Sequence, residues 1–237
     1  VKKPTLFASE RFRNRWLWEV LPDGAWKNKP CFIVGGGPSL KGFDWTMLKG
    51  YRTIGVNRAF ERFEPTIIFS MDTRFLNWVM NDKYTLVKDG AETKAKFMAS
   101  KAYKVWLCTY TIGLPKGFFI VHVATSYFYG LRNFSLSSMQ EGICHGDNSG
   151  YAALNLAVCL GANPIYLLGF DCKHENGRSH WHEGHVMGQK RKDAEKWASR
   201  FEIAAKILAP TEFRVVNLNP DSALECFEKM SPERVLH

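Results

Sequence analysis

Four of the chain's seven histidines stand at positions 174, 180, 182 and 185, within Cys172-Lys173-His174-Glu175-Asn176-Gly177-Arg178-Ser179-His180-Trp181-His182-Glu183-Gly184-His185. Core histidines do not cluster in this way, and imidazole titrates nearest to neutrality, so the segment reads as a place where protons are moved. Three chemistries fit it. His180, His182 or His185 could serve as general base or acid on an acceptor; the imidazoles could instead meet the charge of a departing phosphate. A metal could also be held, with His180 and His182 pointing the same way from an extended segment and Cys172 or His185 completing a zinc set. An uncommitted loop is the reading without chemistry.

Gly35-Gly36-Gly37-Pro38-Ser39-Leu40 is the second chemical signature. Glycines after a buried run let backbone N–H groups approach a phosphate or ribose with no Cβ in the way, and Pro38-Ser39 can start a turn of helix whose dipole faces an anion. The run is not a Gly-x-Gly-x-x-Gly fingerprint, because position 40 is Leu, nor a Walker A loop, because no Gly-Lys-Ser/Thr follows. Asn57, Asp72, Ser149-Gly150 and Asp171 join it, each just past a buried run or at a helix start. Singly, Asn57 and Asp72 read equally well as turn or cap residues. Together they mark a ligand edge.

That edge requires an α/β fold, Rossmann-like, with a mainly parallel sheet flanked by helices. Buried strands are expected at 30–34, 53–56, 66–70, 103–108, 118–123, 165–168 and 213–216, the apolar runs lacking the alternation of a half-exposed sheet. Helices are expected at 10–20, with Phe12, Trp16, Leu17 and Val20 inward, at 151–160, at 190–208 and from Asp221. Gly161 ends the second helix and Pro164 prevents its continuation. The 190–208 helix is amphipathic, with Ala194, Trp197, Ala198, Phe201, Ala204, Ala205 and Leu208 on one stripe. Residues 124–146 read as a long aromatic loop carrying Tyr127, Phe128, Tyr129 and Phe134.

The 237 residues, 46% hydrophobic and 23% charged, exclude disorder and low-complexity classes and suit one domain over 1–237, with 172–190 as a histidine-rich lid. Six cysteines without a Cys-x-x-Cys pair point to a reducing, cytoplasmic setting. No secretory h-region follows Val1-Lys2-Lys3-Pro4. The stretch 151–170, the nearest to a membrane span, is broken by Asn155, Gly161, Asn163 and Pro164. The net charge of +9 favours an anionic partner, and it is concentrated: +5 over residues 1–50, +4 over 83–104, +3 over 173–206, and −1 over 105–172. A small nucleotide uses few positive groups, so the excess suggests an anionic acceptor, nucleic acid included.

The order Gly35-Gly36-Gly37-Pro38-Ser39-Leu40, Gly55-Val56-Asn57, Ser149-Gly150, Leu160-Gly161 and Ile165-Tyr166-Leu167-Leu168-Gly169-Phe170-Asp171 resembles a Rossmann-like superfamily. It joins bacterial CMP-sialic-acid-dependent sialyltransferases to archaeal-type 6-hydroxymethylpterin diphosphokinases. Over about residues 30–185 the chain looks most like the short single-domain members encoded in phage genomes, which would place it in host cytoplasm. The resemblance implies a nucleotide or nucleotide-sugar donor on residues 35–40, Asn57 and Ser149-Gly150, and a histidine base among His180, His182 and His185. It departs from the sialyltransferases in having no tyrosine after Tyr166 for the leaving phosphate. The expectation is a nucleotide- or nucleotide-sugar-dependent, glycosyltransferase-like transferase. The alternatives are an ATP- and metal-dependent diphosphokinase using Asp72 and Asp171, and a non-catalytic nucleic-acid-binding protein.

Overall fold

A computed structural model describes residues 15–81, 90–108, 114–115, 117–124, 134, 136, 138–173 and 191–236. Its frame is one sheet of nine strands: β1 (Arg15–Trp16), β2 (Cys31–Val34), β3 (Arg52–Val56), β4 (Ile67–Ser70), β5 (Tyr103–Cys108), β6 (Phe118–His122), β7 (Ile165–Leu168), β8 (Val215–Asn217) and β9 (Glu228–Lys229). The order is β1-β6-β5-β4-β3-β2-β7-β8-β9, and every pairing is parallel. The helices are α1 (Thr73–Asn81), α2 (Gly90–Ala99), α3 (Ser149–Cys159) and α4 (Arg191–Leu208). This is an α/β Rossmann-like fold.

Alternate residues of the central strands feed opposite faces, as a two-residue period demands. Cys31 and Ile33 of β2, Ile67 and Phe69 of β4, and Val105 and Leu107 of β5 join the core beneath α3 and α4. On the other face, Ile68, Trp106, Phe118 and Ile120 pack with Phe75, Leu76, Val79 and Phe97 of α1 and α2, while Phe32 and Val34 pack with Leu40, Leu48 and Val216. With both faces covered, β2 and β7 are continuous apolar runs and the other central strands nearly so. Every residue of α3 after Ser149 is buried, so this helix is hydrophobic on all sides rather than amphipathic. Among the described residues no helix is long and apolar enough to cross a membrane. The 151–170 stretch instead divides into the rest of α3, a turn with Gly161 at φ +74°, and β7.

Two local expectations are corrected. In the described part of 10–20, Arg15–Trp16 pairs with β6 and Leu17–Glu19 makes one 3₁₀ turn, burying Leu17 completely and stacking Trp16 on Trp18 with centroids 4.4 Å apart. The segment from Asp221 turns on Asn219, whose Oδ1 accepts Asp221 N–H at 3.0 Å, and leads into β9 rather than a helix. Helices α1 and α2, which the sequence reading did not assign, cover the β4–β5–β6 end of the sheet.

Trp106 is fully buried and stacks on Phe75 at 5.9 Å, but its indole N–H meets no acceptor among the described residues. Trp106→Ala is expected to cost about 3–5 kcal/mol through the cavity it leaves. Trp106→Phe is expected to cost much less, because deleting an unsatisfied buried donor returns about 1–3 kcal/mol. Urea unfolding of both variants measures the difference.

Candidate functional site

Strands β4, β3, β2 and β7 lie side by side at the middle of the sheet, and their carboxyl ends border a cavity of about 400 Å³. The chain leaves β2 toward β3 and returns to its other flank as β7. The cavity therefore lies where the strand order reverses, the usual ligand crevice of an open parallel sheet. Its wall comprises residues 35–37 after β2, Val56 at the end of β3 and Asn57 after it, residues 71–74 after β4, residues 147–150 at the start of α3, residues 169–173 after β7, and Trp197 and Phe201 of α4.

The glycine turn is shaped by contact with the turn after β7. Gly35 N–H donates to Leu168 O and Gly37 N–H to Gly169 O, both at 2.8 Å, so the two backbones run together beyond the sheet. A Cβ on Gly37 would stand 2.6 Å from the Asp171 carboxyl group and from Gly169 O. Asp171 is 2% exposed. Its Oδ2 accepts Ser39 N–H at 2.7 Å, and its Oδ1 accepts the Ser39 hydroxyl at 2.6 Å and Asn219 Nδ2 at 2.8 Å. The anion at the start of the Pro38–Leu40 3₁₀ turn is thus the protein's own carboxylate. Leu40 is a buried core residue.

Across the cavity, a chain of hydrogen bonds links the tips of β4 and β3. Asp72 N–H donates to Ser70 Oγ at 3.1 Å, and the Ser70 hydroxyl donates to Asn57 Oδ1 at 2.7 Å. The Asp72 carboxylate takes Arg74 N–H at 2.9 Å and the Arg74 guanidinium at 3.1 and 3.0 Å, an ion pair that raises the arginine's pKa. Asn57 has φ +52°, Asp147 +58° and Cys172 +49°; these are three of the four non-glycine residues with positive φ among the described residues, and all three line the cavity. Left-handed backbone at such residues is costly and gathers at functional sites.

The third wall is the start of α3. Asn148 is its N-cap, its Oδ1 accepting Gly150 N–H at 2.7 Å and Tyr151 N–H at 3.0 Å. Gly150 leaves room for Phe170, whose ring would stand 2.5 Å from an added Cβ. Lys196 of α4 donates to Asp147 at 2.8 Å, so α4 is tied to this corner. His145 beneath it is 2% exposed, and its Nδ1 accepts Asp147 N–H at 3.0 Å, so the neutral ring carries its proton on Nε2. Burial holds its pKa below the ordinary 6.5; Asp147 opposes that shift and Arg200 adds to it.

Of the residues singled out from sequence, Gly35, Gly36, Gly37, Asn57, Asp72, Ser149, Gly150 and Asp171 meet at this cavity, whereas Pro38, Ser39 and Leu40 stand behind it. His180, His182, His185 and the rest of the suggested lid from 174 onward lie outside the described residues, as do Tyr127, Phe128 and Tyr129. As placed, Asp72 and Asp171 do not fit a divalent cation, because one is clamped by Arg74 and the other holds Ser39 and Asn219. Among the described residues no group of three or more His, Cys, Asp or Glu could hold a metal. Sequence reasoning missed Arg74 and Trp197 as walls of the cavity. The buried spacing Phe75, Leu76, Val79 was the available sign of a helix beginning at Thr73, which would have placed Arg74 at its start.

No protein-family model and no curated protein matches the chain. Two solved structures do. The MAf glycosyltransferase from Magnetospirillum magneticum AMB-1 is similar over 96% of this chain with TM-score 0.59 and 15% identity. That likeness is one of fold, and the chain spans 37% of that protein's length. A point mutant of the α-2,3/8-sialyltransferase CstII aligns with TM-score 0.47 and 17% identity, over 86% of this chain and 87% of its own.

Asp171→Ala is expected to destabilise the protein by about 3 kcal/mol or more, since each hydrogen bond to a charged group is worth about 1.5–3 kcal/mol and Ser39 and Asn219 would be left unpaired. Chemical denaturation with Leu40→Met as a mild control measures it. Acid should also weaken the fold through His145. The unfolded chain takes up its proton near the ordinary 6.5 while the folded ring resists, so stability is level above about pH 7 and falls as pH drops below that value, by at most about 1.4 kcal/mol per pH unit. Urea midpoints between pH 5 and 8 should show this slope reduced in His145→Asn, the remainder including His122, whose pKa burial also lowers.

Proposed function

We propose that this chain is a transferase that uses a nucleotide or nucleotide-sugar donor, acting as a glycosyltransferase. The observation that carries this reading is the cavity at the strand-order reversal, bordered by the glycine turn, the left-handed Asn57 and the start of α3. Its charged and polar wall offers donors from Asn57, Arg74, Ser149 and Lys173, which suits phosphate and ribose oxygens, while Trp197 offers a flat apolar surface for a base. The likeness in fold to a glycosyltransferase supports the same reading.

In the proposed reaction, the acceptor hydroxyl gives its proton to an imidazole of the lid, His180, His182 or His185. Its oxygen forms a bond to the anomeric carbon, and the bond from that carbon to the donor phosphate oxygen breaks. The electron pair leaves on the nucleotide, where Arg74 and Lys173 oppose the new charge. This needs no metal bridge, in keeping with the two engaged carboxylates. The net charge of +9 suits an anionic acceptor, nucleic acid included.

A thermal-shift panel of CMP, UDP and ADP compounds and their sugars should give a stabilising member. Turnover of that sugar should persist in EDTA and disappear in His180→Ala or His182→Ala with little change in melting temperature. Activity with ATP that requires added Mg²⁺ would instead establish phosphoryl transfer. Absence of any stabilising nucleotide would remove the donor site altogether.

A further inference from the structure

We infer that Ser70 is a positioning residue that makes Asn57 a donor-only contact, so that the ligand atom resting there is a hydrogen-bond acceptor; this rests on the cavity being the donor site proposed above. Ser70 ends β4 and is fully buried, whereas Asn57 lies past the end of the neighbouring β3 and lines the cavity. The Ser70 hydroxyl is fixed at both ends. Its oxygen accepts Asp72 N–H at 3.1 Å, and its proton goes to Asn57 Oδ1 at 2.7 Å. With its oxygen occupied, the amide turns its Nδ2 to the opposite corner, and among the described residues that nitrogen makes no hydrogen bond.

The direction of the chain follows from the burial of Ser70. A backbone N–H can only donate, so the serine oxygen accepts from Asp72, and its own proton still needs an acceptor. Among the described residues that acceptor is Asn57 Oδ1, so turning the amide round would leave a buried hydroxyl proton unpaired. The backbone of Asn57 adds a second constraint. At φ +52° the side chain departs from a left-handed residue, a conformation that Asn and Asp adopt more readily than other non-glycine residues. Arg58, the next residue, is 8% exposed and holds Glu61 through Nε and Nη2 at 2.6 and 2.8 Å, which braces the turn that carries Asn57.

The amide thus meets the ligand with N–H groups alone. It suits a phosphate, ribose or base carbonyl oxygen and rejects a ligand group that can only donate. Aspartate in its place would keep the backbone and the bond from Ser70, yet present an oxygen where a donor is required.

The test uses isothermal titration of the full chain with CMP, UDP and ADP, following whichever binds the unaltered protein, with melting temperature recorded for every variant. Ser70→Ala is expected to weaken binding about tenfold, the effect of one misdirected hydrogen bond. Asn57→Ala is expected to do at least as much, and Ser70→Ala combined with Asn57→Ala no more than Asn57→Ala alone. Asn57→Asp is expected to remain folded and to lose binding by more than Asn57→Ala. Ser70→Cys, close in volume but a weak donor, should follow Ser70→Ala in affinity while protecting the fold. Unchanged affinity in a folded Ser70→Ala or Ser70→Cys, additive losses in the double variant, or binding retained in Asn57→Asp would each overturn the inference while leaving the donor site standing. Failure of every nucleotide to bind the unaltered protein would overturn both.

Discussion

The contact between the turn after β2 and the turn after β7 is the constraint on which the rest of the ligand edge depends. Two backbone hydrogen bonds bring Gly35 and Gly37 onto the 168–169 carbonyls, and the Asp171 carboxylate then fastens Ser39 and Asn219 around the junction. The approach is so close that a single methyl group on Gly37 would collide with both partners. Buried carboxylates survive only when their oxygens are satisfied, and this one is satisfied by the very segment whose path it sets. The cavity floor is therefore rigid because of protein–protein contact, before any ligand arrives.

The opposite wall follows a different logic. At the β3 and β4 tips, stiffness comes from directed hydrogen bonds through the buried Ser70, with the half-exposed Arg74–Asp72 and Lys196–Asp147 ion pairs at the rim. Surface pairs of this kind contribute little to stability. Their effect is on placement: each holds a charged group at a defined corner of the cavity, and each joins elements distant in the chain or at a strand-to-helix boundary. A floor set by packing and a wall set by hydrogen bonds together give an edge that is shaped yet still open to a ligand.

The framework was legible because its strands are buried on both faces, so Cys31-Phe32-Ile33-Val34 or Ile165-Tyr166-Leu167-Leu168 announce themselves as continuous apolar runs. The gathering of Gly35, Asn57, Asp72, Ser149 and Asp171 at one edge followed from parallelism alone. The use made of each residue did not. Asp171 looks like a free carboxylate until its partners are known, and these lie 132 residues before it and 48 after it in the chain. Gly150 seems to clear space for a ligand, yet the space is taken by Phe170. Elements of two residues, such as β1 and β9, carry no periodicity to read, and the 10–20 stretch offered a helical pattern that pairing with β6 overrides.

The order of strands also dictates the order of assembly. β2 sits at the centre of the sheet, but its neighbour β7 comes more than 130 residues later, after β3 to β6 have already been laid down on the other side. Until β7 and the turn after it arrive, the glycine turn has no carbonyls to bond and Ser39 has no carboxylate to hold it. Pairing between strands so far apart in the chain is the kind that makes parallel folds slow to form and prone to association. The ligand edge, central in space, is thus among the last parts of the molecule to come into being.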